Sequence, residues 1–517
     1  LNEYYNFLKK NYTFTLNKNY KMSLFIKKPL SHLLREADDA EKGMKRTLGV
    51  GALISLGVGA IIGAGLFVRT AAAAAEHAGP SVTFGFIIAA LGCAFAGLCY
   101  AELSSSIPIS GSAYTYTYAT MGEFVAWIIG WDLVLEYAVG AATVGIAWSE
   151  YLNNLLVNVL HVGAIPYEWC HSPFQVSDLG TRGFINIPAL FIIIVLSFLL
   201  IKGTQESALV NNIIVVTKVA IVILVIVLGW GFISDANHTP YIPEVTTYTN
   251  ESGITHKFGG MWGIVGAAGV VFFAFIGFDA VSTAAQEAKN PKRDMPIGIL
   301  GSLVLCTVLY ILFAHVLTGI APVEFFRTNG KEASVAAAIN TYMTGYGWLA
   351  KFITVAILAG FSSVILVMLL GQSRVFYSMS RDGLLPTKYS TLHPKYKTPY
   401  KSNLFVMLIV GFFAAFIPGD VVGDMSSIGT LFAFILVCAG VIILRKTEPN
   451  LKRQFKTPLV PLVPILGIIF CTVMILGLGW ANWLRLIVWL LLGVIIYFGY
   501  SKKHSKLRQI EETDLKL

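Results

Sequence analysis

Apolar runs of about 20 residues, each long enough to cross roughly 30 Å of hydrocarbon as a helix, recur along the chain from Val50 to Tyr500. Twelve such runs lie near 50–68, 80–101, 122–150, 184–201, 208–232, 261–284, 296–320, 350–373, 402–418, 426–444, 458–479 and 483–500. The segments between them are too short to hold a soluble domain of useful size. The pattern therefore predicts an all-α integral membrane protein of about 12 transmembrane helices, because a lipid-exposed backbone must satisfy its polar groups within each helix. Two runs are interrupted in corresponding ways. The first carries GVGAIIGAG, with Gly57, Gly59, Gly63 and Gly65; the sixth carries FFAFIGFDA, where Asp279 follows Gly277 by two residues. Glycine lowers helix propensity by about 1 kcal/mol per residue, and paired broken helices in corresponding halves point to an inverted repeat around a midplane site. Close helix packing through small residues, with Gly59 and Gly63 at GxxxG spacing, is the alternative for the first run. It does not account for the acid that follows the glycine of the sixth.

Composition agrees with lipid as the solvent. Of 517 residues 56% are hydrophobic and 13% charged, against roughly 25% charged in an ordinary soluble domain. With the N-terminus in the cytoplasm, thirty Lys and Arg fall in cytoplasmic segments and five in outward ones, and Lys218, Lys351 and Arg485 lie within runs. That asymmetry sets the orientation, with both termini inside and an even number of spans. The net charge of +9 comes from residues just beyond helix ends, such as Arg445, Lys446, Lys452 and Arg453, which face anionic lipid; nucleic acid is not an expected partner. Cys93, Cys99, Cys306, Cys438 and Cys471 fall inside runs and Cys170 alone in an outward loop, so no disulfide framework or zinc spacing follows. No cofactor is implied.

The segment before the first run holds no signal-type apolar stretch, so the first run is itself the expected insertion signal, and translation is expected to start at Met22. From Met22 to Thr47 the chain is polar, and HLLREADDAEKGMKR is expected as a helix along the cytoplasmic surface. The outward loop near 233–260 contains Asn237-His238-Thr239 and Asn250-Glu251-Ser252, glycosylation patterns that carry no weight unless the source is eukaryotic. The longest inner loop, GQSRVFYSMSRDGLLPTKYSTLHPKYKTPYKSN, reads as an ordered polar connector.

Asp132, Glu136, Lys218, Asp279 and His315 lie within the runs, where a charged group costs roughly 2.5 to 3.5 kcal/mol or more unless paired or wetted. Several such groups argue for an internal polar path. Asp132 and Glu136, four residues apart, share one helix face; Asp132 reads as the wet end and Glu136 as the deeper group. Lys218 is either a side chain snorkelling to the inner surface or a buried amine that gains and loses a proton during a transport cycle. His315 reads as a hydrogen-bonded core histidine. These residues reach a transporter or channel with a polar midplane. A channel would more naturally show pore-lining rings or a filter sequence, and a membrane-embedded enzyme a nucleophile or metal motif; neither is visible.

At GAIIGAGLF in the first run, FFAFIGFDAVSTAAQEAKNPKRDMPIGI in and after the sixth, and GQSRVFYSMSRDGLLP after the eighth, the sequence resembles the amino acid, polyamine and organocation permeases, from roughly Lys45 to Arg453. YAELSSSIPISGSAYTYTYATMGE and GWDLVLEYAVG resemble the cationic amino acid transporter branch and its bacterial homologues. The resemblance implies a LeuT-like fold: residues 1–48 a cytoplasmic segment, 49–445 a core of spans 1 to 10 arranged as a 5+5 inverted repeat, 446–500 two peripheral spans, and 501–517 a cytoplasmic tail. It implies secondary transport of an amino acid across the cell's inner (plasma) membrane, with an exchanger or facilitator as the alternative.

By the same resemblance, the break at Gly63, Ala64 and Gly65 exposes backbone N–H groups to the substrate carboxylate at a half-helix N-terminus, with Ile61 on its other side. Carbonyls around Phe273, Ala274 and Ile276 receive the substrate ammonium, and the Phe273 ring closes over the site. Lys218 stands where sodium-coupled relatives have a second sodium site, with Ser362 or Ser363 as its neighbour, which favours coupling to a proton. Glu136 and Asp279 are the candidate acids for substrate recognition or proton relay. Cationic versus neutral cargo stays open, and the sequence carries no signal for or against a small accessory membrane subunit.

Overall fold

The computed structural model describes residues 24–38, 44–63, 65–177, 180–249, 255–328, 334–418, 428–476 and 480–514. The expected start at Met22, the break residue Ala64 and the pattern at Asn250 lie outside them. Each of the twelve predicted runs falls on an apolar helix. Among the described residues, eight helical stretches are long and apolar enough to cross a membrane by length and composition, and four shorter apolar helices occupy the remaining positions.

A short amphipathic helix, α1 (Leu30–Asp38), precedes the bundle. It is followed by α2 (Val50–Ile61), α3 (Val82–Ser106), α4 (Ala113–Thr120), α5 (Glu123–Asn154), α6 (Ile187–Lys202) and α7 (Thr204–Gly229). The second half comprises α8 (Gly260–Phe272), α9 (Pro291–Ile320), α10 (Gly347–Arg381), α11 (Tyr400–Phe416), α12 (Ile428–Thr447), α13 (Leu462–Leu476) and α14 (Trp480–Ile496), and ends in α15 (Lys506–Asp514). At the centre α2 packs on α7, α9 and α10, α5 on α10, and α8 on α3.

Both expected breaks are present. Helix α2 ends at Ile61, Ile62 is extended, and helical structure resumes as π and α turns from Gly65 to Ala78. Helix α8 passes through a 3-10 turn, Phe273–Phe275, to Gly277 at φ 121°, and then continues as a 3-10 helix, Phe278–Glu287. The two breaks are pressed together, and glycine is required on both sides. A Cβ on Gly65 would stand 2.4 Å from the Ala274 Cα, and one on Gly277 would stand 2.8 Å from the Ala60 Cβ. The packing alternative for the first run also holds locally, because Cβ atoms on Gly59 and Gly63 would collide with Asn211 and Val364.

The all-α bundle carries one small addition: strands β1 (Thr246–Thr249) and β2 (Thr255–Phe258) form an antiparallel hairpin in the loop after α7. Apart from Tyr248 and Phe258 its residues are polar, so hydropathy gave no signal for it. Three expectations change. The segment GQSRVFYSMSR is not a loop, because α10 continues through it to Arg381. Arg374 can remain helical and fully buried there because its Nη2 lies 2.7 Å from Glu287 Oε1, itself fully buried. The N-terminal segment does not simply lie along a surface. Leu33 is 1% exposed, Lys28 Nζ reaches Asp382 Oδ1 at 2.6 Å, and the Thr47 and Leu48 amides donate to the Glu287 carbonyl at 2.8 and 2.9 Å. Asp132 is 2% exposed rather than wet; its carboxylate fills space that a Cβ on Gly429 would occupy.

Both ends of the described chain gather on one face of the bundle, here the terminal face. On the opposite face the hairpin covers the second half of the first break. The Arg327 guanidinium lies 4.4 Å from the Tyr248 ring centroid and 4.5 Å from that of Phe258, and its Nε donates to the Ala75 carbonyl at 3.0 Å. His315 is hydrogen-bonded there as expected, its Nδ1 3.1 Å from the Tyr241 hydroxyl.

Candidate functional site

The crossing of the two breaks gathers most of the candidate residues. The C-terminal end of α2 presents carbonyls that a continuing helix would have used, and it carries the negative end of that half-helix dipole. Lys218, from the middle of α7, meets it. Its side chain is fully buried, and the ammonium donates to Gly59 O at 3.0 Å, Ile62 O at 2.6 Å and Ser363 Oγ at 2.7 Å. Three N–H donors thus meet three oxygens, from α2, the break and α10. The snorkelling alternative is excluded by this geometry. It also chooses between the two serines: Ser363 contacts Lys218, whereas Ser362 accepts from Trp148 Nε1 at 3.0 Å and donates to Leu358 O at 2.9 Å.

On the other side of the crossing, the Phe273 ring is half-buried, with the Arg69 guanidinium 5.8 Å from its centroid. Of the three carbonyls expected to face a substrate ammonium, two already have an internal donor. Phe273 O accepts from Ile276 N at 3.3 Å, and Ala274 O accepts from the Tyr310 hydroxyl at 2.9 Å. Each carbonyl keeps a second lone pair. The Tyr310 hydroxyl also stands 2.8 Å from Ile61 O, so one phenol from α9 bridges the two breaks. Its ring is wedged between Phe86 and Phe275, with centroids at 5.4 and 5.2 Å. The sequence reading passed over Tyr310 and Arg69. The available signal was a tyrosine in the middle of an apolar run, whose hydroxyl needs a partner once it leaves water.

The two candidate acids sit on different elements. Asp279, on the second half of the sixth run, accepts from the Tyr137 hydroxyl at 2.7 Å through Oδ2. Glu136, adjacent to Tyr137 on α5, is 5% exposed and has Asp132, one turn earlier, as an electrostatic neighbour.

A family description, amino acid permease, matches residues 48–496. The chain belongs to that family. The permease is 44% identical over 490 residues to the branched-chain amino acid permease BcaP of Bacillus subtilis, across 95% of this chain and 100% of that protein. It is 40% identical over 489 residues to the methylthioribose transporter of Bacillus subtilis, covering 94% and 100%. It is 38% identical over 405 residues to the chloroplastic cationic amino acid transporter 9 of Arabidopsis thaliana, covering 78% and 67%. The permease is thus a multi-pass membrane transporter of the amino acid permease class, and not an enzyme. The expected family and branch are correct.

Tyr310→Phe keeps the ring packing and removes the bridge. With both carbonyls released to reorient, the KM for uptake is expected to rise about tenfold, equivalent to about 1.4 kcal/mol, with little change in melting temperature. An unchanged KM would mean that the phenol only fills space.

Proposed function

We propose that the permease is a proton-coupled amino acid symporter that works by alternating access around the breaks in α2 and α8. In this reading the twelve apolar runs all span, the first ten as a LeuT-like 5+5 inverted repeat, with the terminal face in the cytoplasm of a plasma membrane. The observation that carries the reading is the Lys218 ammonium seated among Gly59 O, Ile62 O and Ser363 Oγ. An amine that fills such a cradle leaves no place for a sodium ion there, and unlike sodium it can exchange a proton.

The substrate carboxylate is assigned to the amides at Gly63, Ala64 and Gly65, beside Ile61. The ammonium is assigned to the free lone pairs of Phe273, Ala274 and Ile276, with Phe273 as the closing ring. Asp279, in contact with Tyr137, is the better candidate for proton relay, and Glu136 for a supporting role. A neutral branched-chain side chain is the favoured cargo, because Asp279 is already engaged by a phenol and the similar BcaP is named for such substrates. Amino acid exchange is the second reading.

The test is uptake of labelled leucine, alanine, arginine and lysine into proteoliposomes, with an inward proton gradient, an inward sodium gradient or neither. Leucine uptake driven by the proton gradient alone is expected. Uptake that requires internal amino acid and ignores both gradients would establish exchange instead.

A further inference from the structure

At the terminal face, Glu123 opens α5 with a carboxylate that is fully buried and surrounded by donors. The Tyr118 hydroxyl reaches Oε2 at 2.8 Å and the Tyr497 hydroxyl reaches Oε1 at 2.9 Å. Arg508 Nε donates to Oε1 at 2.6 Å, and Ser505 Oγ donates to Oε2. Arg508 Nη2 also donates to the Tyr497 hydroxyl at 3.1 Å. Three of the four residues on this one acid therefore come from the end of the chain, from the last turns after α14 and from α15. A buried carboxylate tolerates loss of water only when charge and hydrogen bonds replace it, so the segment and the acid depend on each other.

The same segment grips a second element. Ser501 Oγ donates to Leu384 O at 2.7 Å, and Lys506 N donates to Asp382 O at 3.1 Å. Gly383, at φ 84°, passes so close to His504 O that a Cβ would stand 2.3 Å from it. The two elements braced in this way, the start of α5 and the turn after α10, also hold the stretch of the N-terminal segment that leads into α1, whereas Thr47 and Leu48 at its other end are held at Glu287. Glu123 N donates to Ile26 O at 2.9 Å and Phe124 N to Leu24 O at 3.1 Å. Asp382 takes Lys28 on Oδ1, and the Tyr114 hydroxyl at 2.7 Å on Oδ2. From these anchors α1 crosses the terminal face with Leu33 in a crevice shared with Ile109, Thr115 and Ser378. The chain then runs to Leu48, which pairs with the end of the second broken run and leads into α2.

We infer that Glu123 is a buried receptor for the permease's own C-terminal segment, and that docking of this segment holds the N-terminal segment closed over the terminal face. The C-terminal segment makes the platform; the N-terminal segment is the cover laid on it. Release of the first loosens Asp382 and the start of α5 together, and with them the contacts that hold the second ahead of α1.

The reporter is Leu33→Cys in the full-length protein in nanodiscs, where both faces meet solvent and no transport assay is needed. The native thiols are buried, and their labelling in the parent chain is subtracted. With a hydrophilic maleimide, labelling of Leu33→Cys is expected to be slow. It should rise at least tenfold with Arg508→Ala, and also in a chain ending at His504. Because an unpaired Glu123 could unfold the protein, the double variant Glu123→Gln/Arg508→Met removes both charges together. It is expected to keep the parent melting temperature and still label faster than the parent. Equal labelling in all these chains would overturn the inference. So would an increase confined to variants with a lowered melting temperature, which would make the segment a stabilising prop and not a latch.

Discussion

Lys218→Met should abolish proton-driven amino acid uptake, by at least a hundredfold, while the protein still folds and reaches the membrane. Methionine replaces the length of the lysine chain but not its three donors, so Gly59 O, Ile62 O and Ser363 Oγ lose the group that draws α2, the break and α10 together. Ser363 still donates to Gly59 O at 2.9 Å, which leaves Ile62 O as the acceptor most affected. Leaving a buried acceptor without its donor costs about 1–3 kcal/mol, a tolerable loss for a bundle of this size. The consequence for transport is expected to be larger, because the ammonium seated among these three oxygens is gone. Uptake at several external pH values, beside a melting curve for the same preparation, separates the two effects. A variant that retained the parent pH dependence would overturn the proposed role of Lys218 in proton coupling.

Arg374→Leu is expected to have the largest effect on stability. The Arg374–Glu287 pair is fully buried at 2.7 Å, and Glu287 also accepts from Thr204 Oγ1 at 3.1 Å. Removing the cation leaves an uncompensated carboxylate at the junction of α10, α7 and the second broken run, a loss of about 3–5 kcal/mol. Strong depression of the melting temperature and poor recovery from detergent are the expected readouts. Glu287→Gln in the same chain should restore part of the loss by removing the stranded charge. If Arg374→Leu melts like the parent, the pair is structurally dispensable.

Much of this architecture is legible in the sequence, because a membrane helix declares itself by the length of its apolar run, and all twelve runs fall on helices. The two breaks are legible because glycine clusters coincide with apolar runs that would otherwise be continuous. Lys218 could be singled out because an amine in the middle of such a run demands an explanation. The direction in which a side chain points is not written in hydropathy, however. Asp132 and Glu136 share a face as their spacing requires, yet nothing in that spacing places Asp132 in contact with α12. Asp279 could be recognised as important, but not that its partner is Tyr137, 142 residues earlier in the chain. Arg374 reads as a loop residue because a lone arginine ends an apolar run unless an acid from a distant segment neutralises it. Tyr310 escaped notice for a related reason. Its ring looks like ordinary core, and only the meeting of two breaks gives its hydroxyl two carbonyls to bridge.

The hairpin on the opposite face offers an external grip on the interior. Through Arg327, held between the Tyr248 and Phe258 rings and bonded to Ala75 O, β1 and β2 are fastened to the half of the first broken run that ends beside Phe273. Thr246, Thr247 and Thr249 in β1 are exposed, while Tyr248 is half-buried against Arg327. An antibody fragment gripping β1 would therefore hold the inner helix by its outer end, a handle for trapping one conformation without touching the candidate substrate site.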